Sequence, residues 1–342
     1  MPNSNPPRIL TTVVGSYPVP DWLAALPSDQ ALEDATRVIF NIQELAGIDA
    51  VVDGELYRFD VNHPDTNGMI DYFVRPLGGV RSQISLSDME AFGRLQSMNF
   101  RAKPAGVVQD AVSAGALDLV TPCQRARQLT RSKLKFTLTG PHMLSRTLLD
   151  LHYQDPAALA FALAEVLAGQ VAKLPADIIQ IDEANITGHP EDTEWAAAAL
   201  NLILQAVPGE KAVHLCFGNY GGQTIQKGTW KNLVHLMNEL RADYFVLEMA
   251  RRGPEELACL NDLHPALGVG LGVIDVKSTL VESPDEIARR LEQAEQILGP
   301  NRIRYVHPDC GFWMLKRSVA DRKIKALVEG RNHYLGLPSQ SP

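Results

Sequence analysis

Four cysteines in 342 residues are too few and too scattered to read as a disulfide framework. A chain of this length buries a full core without staples, so reduced thiols or metal ligands are the expected states of Cys123, Cys216, Cys259 and Cys310. No apolar run is long enough to cross a bilayer, and the opening Met-Pro-Asn-Ser-Asn-Pro-Pro lacks a secretory apolar segment. A cytoplasmic location without membrane contact is therefore expected. Positive charge is in deficit, with 32 Lys and Arg against 40 Asp and Glu, and the net charge of −8 argues against general nucleic-acid binding. A Gly-rich phosphate loop is also missing, which argues against an open doubly wound sheet. What is present is ordinary for a soluble globular protein: 45% hydrophobic and 21% charged residues.

Taken in order, the chain alternates strand-like and helix-like segments. Residues 1–8 are Pro- and Asn-rich and read as a mobile arm. Strand signals follow at Ile9–Val14, Asp49–Val52, Leu134–Thr139, Asp177–Ile181, Lys211–Cys216, Tyr244–Leu247, Leu267–Ile274 and Ile303–Val306. Helical spacing fills most of the gaps, including Ala31–Leu45, Pro156–Leu174 and Thr193–Ala206. Ser283-Pro284-Asp285-Glu286 is a helix start, with an N-cap serine, proline at the first helical position and glutamate three after the cap. Residues 56–132 break the rhythm and read as an insertion in a βα loop plus one helix near Asp110–Ala116. The end of that stretch carries Arg125, Arg127, Arg131, Lys133 and Lys135 with no acid among them, either a solvated helix face or an anion-binding rim.

Eight such strands with intervening helices predict right-handed crossovers, a parallel sheet and closure into a (β/α)8 TIM barrel carrying an insertion after strand 2. One domain spanning residues 1–342 is expected. Ser16, Glu55, Asp182, Cys216, Glu248 and Cys310 all fall at or just past the carboxyl end of a strand, the face where such barrels place their active sites. His214 and Cys216 are two apart on one strand, so both project to the same side, as half of a zinc site would.

These segments resemble the carboxyl-terminal catalytic barrel of the cobalamin-independent methionine synthase family. The matching pieces are Thr11-Thr-Val-Val-Gly-Ser-Tyr-Pro18, Asp53-Gly-Glu55, Thr139-Gly-Pro141, Ile179-Gln-Ile-Asp-Glu183, His214-Leu-Cys216, Leu247-Glu248 and Pro308-Asp-Cys-Gly311, in family order along nearly the whole chain. The resemblance implies one Zn2+ held by His214, Cys216, Glu248 and Cys310, a set of donors that zinc accepts. It implies a methyltransferase that alkylates a zinc-bound thiolate, homocysteine giving methionine. Glu55 and Asp182 resemble the carboxylates that hold the substrate ammonium group, and the Gly15-Ser16 segment resembles the loop that receives its carboxylate.

The match has departures. The long family enzyme has two barrels, and this chain has length for one. His142 follows Thr139-Gly-Pro141 with no tryptophan nearby to stack a pterin. Asp275-Val-Lys277-Ser278 stands where the long enzyme has Asp-Ile-His-Ser, so Lys277, Asp275 and His142 are the candidate catalytic groups, with His189 and His307 as further acids. Lysine serves better as an anion anchor than as an acid at neutral pH. The donor stays open between methyltetrahydrofolate and a methylcorrinoid, and a methyl-carrier protein is a candidate partner. Two other functions stay open: coenzyme M attack on an epoxide by the same zinc-thiol chemistry, and a non-catalytic zinc-binding barrel.

Overall fold

Each strand signal in the sequence becomes a strand because its residues can be buried on both faces, as a parallel sheet demands. The computed structural model describes residues 8–60, 67–95, 101–219 and 223–338. The expected amino-terminal arm lies outside these residues except for Arg8, which pairs with Glu295. Eleven strands are present among them: β1 (Leu10–Thr11), β2 (Ala50–Val51), β3 (Gly78–Arg81), β4 (Val107–Ser113), β5 (Lys133–Thr139), β6 (Leu149–Asp150), β7 (Ile178–Asp182), β8 (Glu210–Leu215), β9 (Tyr244–Leu247), β10 (Gly268–Ile274) and β11 (Ile303–Pro308). Eight of them form one sheet in the order β1-β11-β10-β9-β8-β7-β5-β2, with parallel neighbours throughout. A parallel bridge from Thr12 to Ala50 joins the two ends, so the sheet closes into the expected barrel. Among the described residues no helix is long and apolar enough to cross a membrane.

The two-residue alternation of a strand sorts every side chain to the inside or the outside. Outward residues such as Leu134, Phe136, Ile179, Val213, Phe245 and Leu271 join the main apolar core beneath the helices. Inward residues at the amino-terminal end, including Ile178, Ala212, Tyr244, Val246 and Tyr305, make a separate apolar plug. One step further along the same strands the inward residues turn polar: Lys135, Gln180, His214 and His307, all buried. At the carboxyl ends stand Thr137, Asp182, Cys216, Glu248 and Asp309. The glycines of β10 make this polar filling possible. A Cβ on Gly270 would lie 2.9 Å from His307 Nε2, and one on Gly272 would lie 2.3 Å from Asp309 Oδ1.

Helices start where the sequence signals them. Ser28 Oγ accepts the Ala31 N–H (3.0 Å), Asp155 Oδ1 the Ala157 N–H (3.0 Å), and Ser283 Oγ the Glu286 N–H (3.2 Å). The insertion after β2 supplies two strands of a second sheet, in which β3 pairs antiparallel with β4, and β4 pairs parallel with β6, which comes after β5. Two expectations need correction here. Residues 110–116 are not helical, because Val107, Val108 and Val112 favour the extended chain of β4, and the insertion has helices at Asp71–Val74, Leu86–Arg94 and Val120–Leu129 rather than one. The basic stretch is not a rim at the barrel mouth. Arg127 bonds Asp177 (2.9 Å) just before β7, Lys133 bonds Glu210 (2.7 Å) at the start of β8, and Lys135 points into the barrel. Charge composition showed the surplus of cations but not the acids that neutralise them from other strands.

Candidate metal centre

The same alternation that fills the barrel carries His214 and Cys216 to the inner face of β8, and Cys310 enters from the loop after β11. One ligand atom from each of these three residues lies within 4.8 Å of the other two. His214 donates Nδ1–H to the Val246 carbonyl (2.9 Å), which fixes the tautomer and leaves the Nε2 lone pair facing the thiols. That buried Nε2 has no hydrogen-bond partner. The two thiols are unequal. Cys216 donating to Cys310 draws the Cys310 thiol well below its usual range despite burial, with His214 acting in the same sense. The Cys216 thiol is pushed well above that range by Cys310 and by burial. An orphaned imidazole nitrogen beside two soft sulfurs, one inclined to be a thiolate, fits a thiophilic metal ion.

Glu248 directly follows β9 beside this group but is not within the 4.8 Å set. Its Oε1 accepts from Lys277 Nζ (2.8 Å) and its Oε2 from the Phe217 N–H (3.1 Å). Lys277 has a fully buried side chain whose pKa burial would lower, but Glu248 outweighs this and raises it. Asp275 faces the opposite way along the same loop, accepting the Lys277 N–H (2.9 Å) and Arg251 Nε (2.8 Å).

Glu55 sits at φ 59°, a left-handed turn held by Asp53 Oδ1, which accepts its N–H at 2.9 Å. Its carboxylate accepts from Thr137 Oγ1 (2.5 Å) and pairs with the buried Arg58 (3.3 Å). Arg58 also donates to the Thr137 carbonyl (2.5 Å) and lies over the rings of Tyr57, Tyr72 and Phe73. Asp182 Oδ1 accepts from Gln180 Nε2 (2.7 Å), and Gln180 Oε1 in turn accepts from Lys135 Nζ (2.8 Å). In register, Asp182 pairs with His214 on the neighbouring strand. Ser16 ties the two regions together. The Phe312 N–H donates to its carbonyl (2.8 Å), the next residue, Tyr17, donates to the Gly54 carbonyl (2.9 Å), and a Cβ on Gly311 would lie 2.0 Å from Ser16 Oγ.

His142 is buried elsewhere in the loop layer. Its Nε2 pairs with Asp192 Oδ2 (2.9 Å), its backbone N–H donates to Glu183 Oε1 (2.8 Å), and its ring packs on Trp195. His189, Glu191 and Asp192 form a second close group, but Asp192 is already engaged by His142 and Arg146. Burial drives His307 down to about 3, so it stays neutral in the barrel interior. Sequence reasoning passed over Arg58, Thr137, Gln180 and Asp309 as site residues. For Arg58, placement three residues after Glu55 was an available signal.

Comparison with known proteins identifies the family and the fold. The family described as "Cobalamin-independent synthase, Catalytic domain" matches residues 9–332. The chain belongs to that family. It is therefore an enzyme, a methyltransferase by kind, as the motifs had implied. Among its relatives, the methionine synthase of Sulfurisphaera tokodaii is 29% identical over 340 residues, an alignment covering 95% of this chain and 92% of that one. The methionine synthase of Thermococcus kodakarensis is also 29% identical over 340 residues, covering 95% and 93%. Both relatives therefore have nearly this chain's length. The solved structure of a B12-independent methionine synthase from Shewanella sp. W3-18-1, in complex with selenomethionine, superposes with a TM-score of 0.76 at 24% identity, over 95% of this chain and 97% of that one. The shared barrel fold is what that likeness shows.

Proposed function

We propose that this enzyme makes methionine by methylating homocysteine, in the cytoplasm, with zinc held by His214, Cys216 and Cys310 and with Glu248 as an exchangeable fourth ligand. One domain covering residues 1–342 does this, with 56–132 as a loop insertion. The observation that carries the proposal is the orphaned His214 Nε2 facing two thiols at the carboxyl mouth of the barrel. Zinc bound there would act as a Lewis acid, holding the substrate sulfur as a thiolate that is still able to attack carbon.

The remaining work falls to the chain. Glu55 and Asp182 present two carboxylates to an amino-acid ammonium group, and neutral partners, Thr137 and Gln180, orient one oxygen of each. The Ser16 segment receives the substrate carboxylate and sets its distance from Cys310, a role supported by its backbone ties to Gly54 and Phe312. Lys277 is bound to Glu248 and so serves as an anchor for that anion. The methyl donor is methyltetrahydrofolate or a methylcorrinoid, the latter brought by a methyl-carrier protein.

Zinc X-ray absorption with and without homocysteine tests this reading. A new zinc–sulfur scatterer on adding homocysteine is expected, and an unchanged spectrum would refute it. Coenzyme M offered in parallel should add none. Supplying each donor to the zinc-loaded enzyme and following methionine then identifies the donor.

A smaller test concerns Gly15. A Cβ there would lie 2.1 Å from Glu55 Oε1, so Gly15→Ala must swing the carboxylate away from Thr137. The clash is with the far end of a flexible side chain, and the melting temperature should move by less than about 4 °C. KM for homocysteine should rise about tenfold, the cost of one charged hydrogen bond, with zinc content unchanged. Unaltered KM in a folded, zinc-replete variant would remove Glu55 from the substrate pocket.

A further inference from the structure

We infer that Lys277 is a positioning residue that competes with the bound metal for the Glu248 carboxylate, and so keeps one coordination place open to the substrate sulfur. This rests on the zinc reading above and adds a control to it. Three donors lie within 4.8 Å of one another, while Glu248, the fourth, is drawn to an ammonium 2.8 Å away. Both side chains of that pair are buried, with exposures of 0% and 2%, so water screens neither. A carboxylate whose charge is already matched by a lysine is a weaker metal ligand than a free one. Were an incoming thiol to bind as thiolate, with its proton released to solvent, the Glu248 carboxylate it displaced would stay paired with Lys277 rather than being stranded as a buried anion.

The structure holds both members in place. The Lys277 N–H is bound by Asp275 Oδ1 (2.9 Å), the Asp275 N–H by Glu282 Oε1 (2.9 Å), and Glu282 Oε2 by Lys323 (2.8 Å). On the other side, Asp309 Oδ1 accepts the Met249 and Ala250 N–H groups (2.9 Å each), fixing the chain just after Glu248. The backbone is thus held beside both residues, and the Lys277 ammonium lies 2.8 Å from the Glu248 carboxylate.

The test is a comparison of the full-length protein with Lys277→Met and Lys277→Arg. Zinc affinity is read by chelator competition, and thiol uptake by the thiolate-to-cobalt absorption of cobalt(II)-loaded protein titrated with homocysteine. Lys277→Met should hold zinc at least about tenfold more tightly, within the range outer-shell changes produce, and should need about tenfold more homocysteine for half-saturation. Lys277→Arg should restore both. A purely structural role would instead weaken zinc binding. In a Glu248→Gln background, which removes the carboxylate for which lysine and metal would compete, Lys277→Met should change neither quantity by more than about twofold. Equal or weaker zinc binding by Lys277→Met, or the same effect in the Glu248→Gln background, would overturn the inference. Wild-type protein that takes up no stoichiometric zinc would instead sink the metal reading itself, and this inference with it.

Discussion

Cys216→Ser and Cys310→Ser should each abolish stoichiometric zinc binding and lower methyl transfer by more than about 100-fold, beyond the loss that follows removal of an outer-shell partner. Serine nearly preserves the size of cysteine but cannot supply a thiolate at neutral pH, so the change removes a ligand without removing volume. The two thiols depend on each other: Cys216 donates to Cys310, and burial alone would push both toward neutrality. Losing either one leaves an imidazole, a single thiol and a carboxylate already engaged by Lys277, too weak a donor set to hold a metal tightly. Cys259→Ser is the control. Its thiol is pushed up to about 11 by burial and lies in the turn after Pro254–Ala258, bonded to the Glu256 carbonyl at 3.1 Å, so metal and activity should persist. Metal content after gel filtration, measured with turnover, checks all three variants. A Cys216→Ser protein that is free of zinc yet turns over at the wild-type rate would end the proposal.

Asp182→Asn should lower kcat/KM for homocysteine by roughly 30- to 1,000-fold, the usual consequence of removing one partner of a buried charged pair. Asp182 is buried on the inner face of β7, and burial pushes its pKa up to about 7, against His214, which lowers it, and with Glu55, which raises it. A carboxylic acid attracts an ammonium group far less than a carboxylate does. The substrate's affinity for the wild-type enzyme should therefore fall as pH drops below about 7, because the group becomes protonated in that direction. In Asp182→Asn this acid limb should flatten, since the amide does not titrate. Homocysteine KM measured from pH 5.5 to about 8 in both proteins decides the matter. Parallel acid limbs in the two would assign the titration to another group.

Much of the candidate site was legible from spacing. His214 and Cys216 share a face because a strand repeats every two residues, and the same rule points Gln180 and Asp182 inward together. Asp53-Gly54-Glu55 was expected at a strand end, and it follows β2 there, with Glu55 in the left-handed region. Where the reading failed, long-range partners were the reason. The basic run from Arg125 to Lys135 looked like a surface feature because Asp177 and Glu210, its neutralising acids, come from other strands. Residues 110–116 looked helical because their strand partner, Gly78–Arg81, lies some thirty residues away.

By itself, then, the sequence determined the barrel, the mouth at which the chemistry-bearing residues collect, and the face on which each strand residue lies. Those follow from local periodicity, which needs no knowledge of neighbours. Only the tertiary structure decided that Glu248 is held by Lys277 rather than standing among the sulfur and imidazole donors, and that Lys135 backs Asp182 through Gln180. Each of these contacts joins loops or strands that barrel closure brings together, and a buried charge finds its partner only once the chain has closed around it.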